Sequence, residues 1–327
     1  MAEFDLIDLI RERCAIARED VRVGIGDDAA LLAIPHGQLL AVSTDSLVAG
    51  VHFPSQTKAY DIGWKALAVN LSDLAAMGAT PAWATLALTL PNADARWVGE
   101  FADGFAALAR EYKLALVGGD TTQGPLSITV TIHGFVRENA ALLRGGARPG
   151  DAVFVTGTLG DAAAGLRCLD KNDGDATRLL ASPPATREVL IERLNRPTPR
   201  VAQGLTLRGR ASACIDVSDG LLADLGHICA ASGVGAEIDV DELPSSPALL
   251  ALFDAQARRA LQLAGGDDYE LCFTAAERAA ATLQQDLARS GCAALRIGRI
   301  VAESGVRARD GAGNPVTLSR SGWEHFS

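Results

Sequence analysis

Short acidic clusters beside glycine, serine or threonine recur along the whole chain: Gly26-Asp27-Asp28, Ser43-Thr44-Asp45, Ser72-Asp73, Gly118-Gly119-Asp120, Asp216-Val217-Ser218-Asp219-Gly220 and Gly265-Gly266-Asp267-Asp268. Most end an apolar stretch or sit at a turn, where a short side chain can point into a cleft. Several carboxylates in one cleft repel one another unless a cation lies between them. Mg²⁺ suits an all-oxygen donor set of this kind and usually arrives with substrate phosphates. The pattern therefore points to metal-assisted nucleotide chemistry.

Each cluster also has a plainer reading. Gly24-Ile25-Gly26-Asp27-Asp28 superficially resembles a dinucleotide fingerprint, but that motif presents bare amides to a pyrophosphate, and two aspartates there would repel phosphate unless a cation bridged them. A solvated Gly-Asp turn is the alternative. Ser43-Thr44-Asp45 follows an apolar strand and either supplies ligands at its end or simply ends it. Asp73 lies in a largely apolar helical run and shares a face with Asn70, so it needs a cation or an ion-pair partner. Gly118-Gly119 after the strand 114–117 is either a plain turn or a close approach of backbone to a bulky ligand, with Asp120 beside it. Ser218 and Asp219 join strand to helix, as ligands or as a helix N-cap. There is no Gly-x-x-x-x-Gly-Lys-Ser/Thr loop.

The elements that must position these groups follow from periodicity. The 327 residues favour two domains. The seam is the Gly- and Pro-rich stretch 143–151, giving an N-terminal domain over 1–148 and a C-terminal α/β domain over 149–327. In the first, strands are expected over 38–43, 82–90, 114–117 and 126–136 and helices over 60–77 and 95–111, as an antiparallel sheet covered by helices. In the second, strands are expected over 152–156, 213–217, 236–240, 269–273 and 294–300 and helices over 161–169, 220–231 and 275–290. The polar segment 171–186, with its Pro-Pro pair, reads as a mobile loop.

A net charge of −10 and 5% aromatic residues argue against a nucleic-acid partner. The six cysteines have no Cys-x-x-Cys spacing and read as reduced, buried thiols. The five histidines show no zinc-like grouping. The acidic N-terminus is unlike a signal peptide and no apolar run reaches membrane-span length, so a cytoplasmic protein with no membrane association is expected.

Several longer segments make the set specific. Gly-Ile-Gly-Asp-Asp-Ala-Ala-Leu (24–31), Ser-Thr-Asp-Ser-Leu-Val-Ala-Gly-Val-His-Phe (43–53), Lys-Ala-Leu-Ala-Val-Asn-Leu-Ser-Asp-Leu-Ala-Ala-Met-Gly-Ala (65–79), Gly-Gly-Asp-Thr-Thr (118–122), Ser-Asp-Gly-Leu (218–221) and Gly-Gly-Asp-Asp-Tyr-Glu-Leu (265–271) together resemble the thiamine-monophosphate kinase family. The resemblance runs from near residue 20 to Gly-Trp-Glu-His-Phe (322–326). The wider superfamily of aminoimidazole ribonucleotide synthetase shares only the general pattern.

The resemblance implies a two-domain α/β subunit whose N-terminal sheet forms a barrel with that of a second copy, giving a homodimer. It implies ATP- and Mg²⁺-dependent phosphorylation of thiamine monophosphate to thiamine diphosphate, the last step of that synthesis. Carried over by position, the metal ligands are Asp28, Ser43, Thr44, Asp45, Asp73, Asp120, Asp216 and Asp219, with Asp27 as an outer or extra ligand. ATP contacts are Tyr112, Gly119, Asp120, Arg144 and Ser218; thiamine phosphate contacts are His52, Asp267 and Trp323. No residue is assigned a covalent role. The family often has Gly-Gly-Glu-Asp where this chain has Gly-Gly-Asp-Asp, so Asp267 reaches one methylene less far. Two other readings stay open: an ATP-dependent cyclo-ligase or synthetase of the superfamily, which would release inorganic phosphate, and a nucleotide-sensing module that binds ATP without turnover.

Overall fold

Trp97, Phe101, Phe105 and Leu108 recur at three- and four-residue steps, and the helix they specify forms with the expected bounds, Ala95–Glu111. Asp94 caps it by accepting from the amides of Arg96 and Trp97 at 2.9 and 3.2 Å. Phe101, Phe105 and Leu108 are fully buried, and the rings of Trp97 and Phe101 stack at 5.5 Å.

The computed structural model describes residues 3–318, 322 and 323; Glu324, His325 and Phe326 of the C-terminal motif lie outside them. The chain divides into two compact units, Met1–Leu74 with Ala79–Ala141, and Ala75–Gly78 with Leu142–Ser327. The first runs α1 (Glu3–Arg13), β1 (Val21–Val23), β2 (Leu31–Leu32), β3 (Gln38–Val48), α2 (Ala59–Ala76), β4 (Thr80–Leu90), α3 (Ala95–Glu111), β5 (Ala115–Gln123) and β6 (Ser127–Arg137). Its main sheet has the order β3-β6-β4-β5. The sheet is mixed rather than antiparallel, because β4 and β5 pair in parallel. Helix α3 connects those two strands, and a parallel pair needs such a crossover.

Two expected strands are longer than their apolar cores suggest. Ser43, Thr44 and Asp45 lie inside β3, not at its end, and pair in register with Ile132, Thr131 and Val130. Serine and threonine satisfy a pleated edge as readily as they end it, and hydroxyl ladders Thr44–Thr131 (2.9 Å) and Ser46–Thr129 (2.6 Å) tie one face together. Gly118, Gly119 and Asp120 likewise lie within β5, past a register shift opposite Ala84 and Thr85. This excludes a Gly-Gly turn.

The second unit continues with β7 (Asp151–Thr156), α4 (Asp161–Leu169), α5 (Ala176–Ala181), α6 (Pro184–Asn195), α7 (Val201–Leu207), β8 (Ala213–Val217), α8 (Leu221–Ser232), β9 (Gly235–Asp239), α9 (Pro247–Leu252), α10 (Ala255–Ala264), β10 (Glu270–Ala276), α11 (Ala280–Arg289), β11 (Ala294–Val301) and β12 (Gly305–Arg309). The six strands take the order β12-β9-β11-β7-β10-β8. Their apolar residues, among them Val153, Val155, Ile215, Val217 and Ile297, form one core with Leu221, Leu225 and Ile228 of α8. The stretch expected to be a loop over 171–186 instead contains α5 and the start of α6. Pro184 sits at a helix start, where its missing amide costs nothing, and Arg167 pairs with Asp173 and Asp175 at 2.7 and 3.1 Å. The expected helix 275–290 starts later, because Ala275 and Ala276 still pair with Ala152 and Asp151 in β10. The six cysteines are free thiols, five of them buried. Among the described residues no helix is long and apolar enough to cross a membrane.

Candidate active site

Strand alternation puts Ser43 and Asp45 on one face of β3 and Thr44 on the other. On their face, Ser43 Oγ donates to Asp73 Oδ2 of α2 at 2.5 Å. The carboxyl groups of Asp45 and Asp73 are also within hydrogen-bonding reach, and burial together with the Asp73 charge pushes the Asp45 pKa up to about 7. Two carboxyls forced together at a half-buried position are what a bound cation would relieve. Their donors, with the Ser43 hydroxyl, are all oxygens and fit Mg²⁺ rather than zinc. Among the described residues no three His, Cys, Asp or Glu side chains are grouped to hold a metal ion. Mg²⁺ commonly rests on one or two carboxylates and takes its other ligands from phosphates and water, so a pair suffices.

The other first-unit candidates are less gathered. Asp27 and Asp28 are exposed, and Asp27 accepts from the Asp28 amide at 2.9 Å. Asp120 is exposed on the edge strand β5. Gly119 is required by the fold itself: a Cβ there would fall 1.9 Å from the Leu86 carbonyl oxygen of β4. Tyr112 ends α3, with its amide donating to Arg110 O. His52 follows β3 in a turn whose Val48 amide donates to its Nδ1 at 3.0 Å. Lys65 of α2, almost fully buried, braces the same turn by donating to His52 O at 3.3 Å. Sequence reasoning passed over Lys65, although a lysine inside an apolar helical run was a usable signal.

In the second unit three separated motifs meet. Asp216 is buried on β8, and Ser218 and Asp219 follow it, half-buried. The Asp267 and Tyr269 amides donate to Ser218 O and Val217 O at 2.8 Å each, and the Trp323 amide donates to Asp219 O at 3.0 Å. Gly266 permits this approach, since a Cβ there would lie 2.5 Å from Ser218 O. Asp267 and Tyr269 both take left-handed backbone angles (φ 69° and 50°), a conformation that side chains other than Gly, Asn and Asp seldom hold. The Tyr269 hydroxyl donates to Asp267 Oδ1 at 3.0 Å and so aims that carboxylate. Trp323 leaves half its surface exposed. Arg144 is exposed, with its carbonyl accepting from Ser232 Oγ at 3.4 Å.

Neither Ser218 nor Asp219 caps α8: the cap position is Gly220 and it makes no side-chain bond. The capping is done from inside the helix by Asp224, which the sequence reading missed. Its Oδ2 accepts from the amides of Ser218, Asp219 and Gly220 at 3.1 Å each. Burial, then the Asp219 charge, raises its pKa to about 7. The rest of the Gly-Gly-Asp-Asp-Tyr-Glu motif is architectural. Asp268 is buried, which raises its pKa well above the ordinary value, and it accepts from Gly160 N at 2.7 Å at the start of α4. Glu270 is fully buried and bonds Thr156, Arg193 and Arg200.

The family model for the AIR synthase related protein N-terminal domain matches residues 26–136, and that for its C-terminal domain matches 148–311. The thiamine-monophosphate kinase of Salmonella typhimurium is 51% identical over 99% of this chain and 98% of its own. The chain belongs to the thiamine-monophosphate kinase family. The crystal structure of the family's enzyme from Stenotrophomonas maltophilia K279a is 52% identical, with a TM-score of 0.87 over 97% of this chain and 98% of that one. AaThiL, solved in complex with AMPPCP and TMP, is 32% identical with a TM-score of 0.76 over 99% of this chain and 97% of that chain.

Proposed function

We propose that this protein is a thiamine-monophosphate kinase, an enzyme that transfers the γ-phosphoryl group of ATP to thiamine monophosphate and yields thiamine diphosphate and ADP. The observation that carries the reading is full-length kinship to kinases of that name, with a relative that binds AMPPCP and TMP. The Asp45–Asp73 pair and the meeting of the 216–219, 265–269 and 322–323 segments support it from within this chain. The acceptor phosphate is already ionised at neutral pH, so no strong base is needed. Positioning and charge neutralisation are what the protein must supply, and direct in-line transfer follows. Mg²⁺, when bound, offsets the repulsion between two phosphate tails.

The proposed roles keep the assignments made by position. Asp28, Ser43, Thr44, Asp45, Asp73, Asp120, Asp216 and Asp219 serve as metal ligands; the Thr44 hydroxyl is bonded to Thr131 and is the weakest member. Tyr112, Gly119, Asp120, Arg144 and Ser218 serve ATP, with Arg144 adding positive charge near its phosphates. His52 and Asp267 make polar contacts with thiamine monophosphate, and Trp323 stacks on an aromatic ring. The enzyme works in the cytoplasm, with residues 1–148 serving ATP, metal and dimer formation and 149–327 completing the substrate contacts.

The homodimer has its own support. β3 is an eleven-residue edge strand, and Leu40, Val42 and Val48 on one face of it are exposed. Monomers seldom leave a long apolar edge uncovered. Val42→Glu should convert a dimer into a monomer in sedimentation equilibrium; an unchanged dimer would remove β3 from the interface. Tyr269→Phe deletes only the hydroxyl that aims Asp267. It should raise KM for thiamine monophosphate by roughly tenfold, as for loss of a bond to a charged group, with kcat and KM for ATP little changed.

The reaction is tested by incubating the protein with ATP, Mg²⁺ and thiamine monophosphate and quantifying thiamine species, ADP and phosphate. The proposal expects equal amounts of thiamine diphosphate and ADP. Inorganic phosphate without thiamine diphosphate would favour a synthetase instead, and bound ATP without turnover a sensing module.

A further inference from the structure

We propose that Asp224 is a positioning residue for phosphoryl transfer, holding the backbone of the Ser218–Asp219 segment through one carboxylate oxygen; this rests on the kinase reading above. The geometry is specific. Three consecutive amides, of Ser218, Asp219 and Gly220, converge on Asp224 Oδ2 at 3.1 Å, and the Asp224 side chain is almost fully buried on the first turn of α8. The carbonyls of the same stretch point the other way. Val217 O, Ser218 O and Asp219 O accept from the amides of Tyr269, Asp267 and Trp323. Asp224 therefore fixes one side of a strip of peptides whose other side carries two of the three proposed thiamine phosphate contacts.

An ordinary N-cap side chain comes from the residue just before the helix and bonds amides two or three positions later. Here the acceptor comes from inside the helix and reaches back, so the loop's orientation depends on it. Freed from Asp224, these peptides could rotate, and Ser218, Asp219, Asp267 and Trp323 would shift together. Displacements of about an ångström in a positioning catalyst can cost about a hundredfold in rate.

The test compares Asp224→Ala and Asp224→Asn with the wild type in two measurements. Hydrogen–deuterium exchange reports on peptides covering 214–225, and steady-state kinetics reports kcat and the half-saturating Mg²⁺ concentration. Asp224→Ala should speed exchange in that peptide at least tenfold, lower kcat by roughly a hundredfold and raise the Mg²⁺ requirement. Asp224→Asn keeps an acceptor oxygen and should stay within about fivefold of wild type in both, as expected where the acceptor and not the charge is needed. A purely structural role would reduce the fraction of active enzyme without moving the Mg²⁺ requirement. Wild-type exchange and kcat in Asp224→Ala would overturn the proposal. If that variant fails to fold, an Asp224→Asn enzyme that folds but loses a hundredfold in kcat would overturn it equally. Absence of product from the wild type would instead sink the kinase reading, and the exchange data would still decide whether Asp224 holds the loop.

Discussion

Replacing Asp45 or Asp73 with asparagine should lower kcat for thiamine diphosphate formation by roughly a hundred- to a thousandfold, the scale seen when one preorganised electrostatic contact at a reacting centre is removed. The same substitutions should leave the metal-free protein as stable as wild type, or more so. Burial and the neighbouring Asp73 charge raise the Asp45 pKa from 3.8 to about 7, so the folded state holds a proton that the unfolded chain releases at lower pH. The stability tied to that proton is complete below pH 4 and is lost as pH rises through 7. In metal-free wild type, the melting temperature should therefore fall across this window, and the fall should be shallower in Asp45→Asn. Added Mg²⁺ should restore the wild type near pH 7.5 and have little effect on either variant. Near-normal turnover in both variants would end the assignment of this pair as a metal site.

A second large effect is expected away from the chemistry. Glu270 has no exposed surface and accepts from Thr156 Oγ1 at 2.7 Å, Arg193 at 2.8 Å and both ends of the Arg200 fork at 2.6 Å. Glu270→Ala would leave two largely buried guanidinium groups without this carboxylate. Breaking a buried charge network from one side typically costs about 3–5 kcal/mol. For a domain of 150–250 residues this corresponds to a drop of roughly 6–20 °C in melting temperature. Calorimetry should show it in the transition of the C-terminal unit; a drop below about 3 °C would mean that solvent replaces the glutamate cheaply. The tyrosine beside it behaves differently. Tyr269→Phe should move KM and barely move the melting temperature, which separates the two halves of the motif experimentally.

That separation shows what local sequence could and could not reveal. The helix Ala95–Glu111 was readable to the residue, because four large apolar side chains at helical steps all act within a few turns. The apolar strands of the second unit were readable for the same reason. The roles inside Gly-Gly-Asp-Asp-Tyr-Glu were not. Asp267, Asp268 and Glu270 are close neighbours in the chain, yet one faces the Ser218 loop, one caps α4, and one binds arginines more than 65 residues away. Only tertiary pairing separates them. The strand ends failed similarly: Ser43-Thr44-Asp45 and Gly118-Gly119-Asp120 resemble stops, but pairing with β6 and β4 carries both strands through them. That Asp45 meets Asp73 in particular was not legible, because their pairing depends on tertiary packing of β3 against α2. Asp45 comes from a strand and Asp73 from a helix about 30 residues apart, and in the second unit the Ser218–Asp219 stretch, Asp267 and Trp323 are joined by backbone hydrogen bonds.

In this account the protein takes no covalent part in the transfer: it holds two phosphates in line and offsets their charge. The most direct test uses ATP whose γ-phosphorus is made chiral with oxygen isotopes. Direct transfer predicts inversion of configuration at that phosphorus in the thiamine diphosphate formed. Retention would mean two successive displacements through an enzyme-bound phosphate, on His52 or Asp45, and would contradict the account.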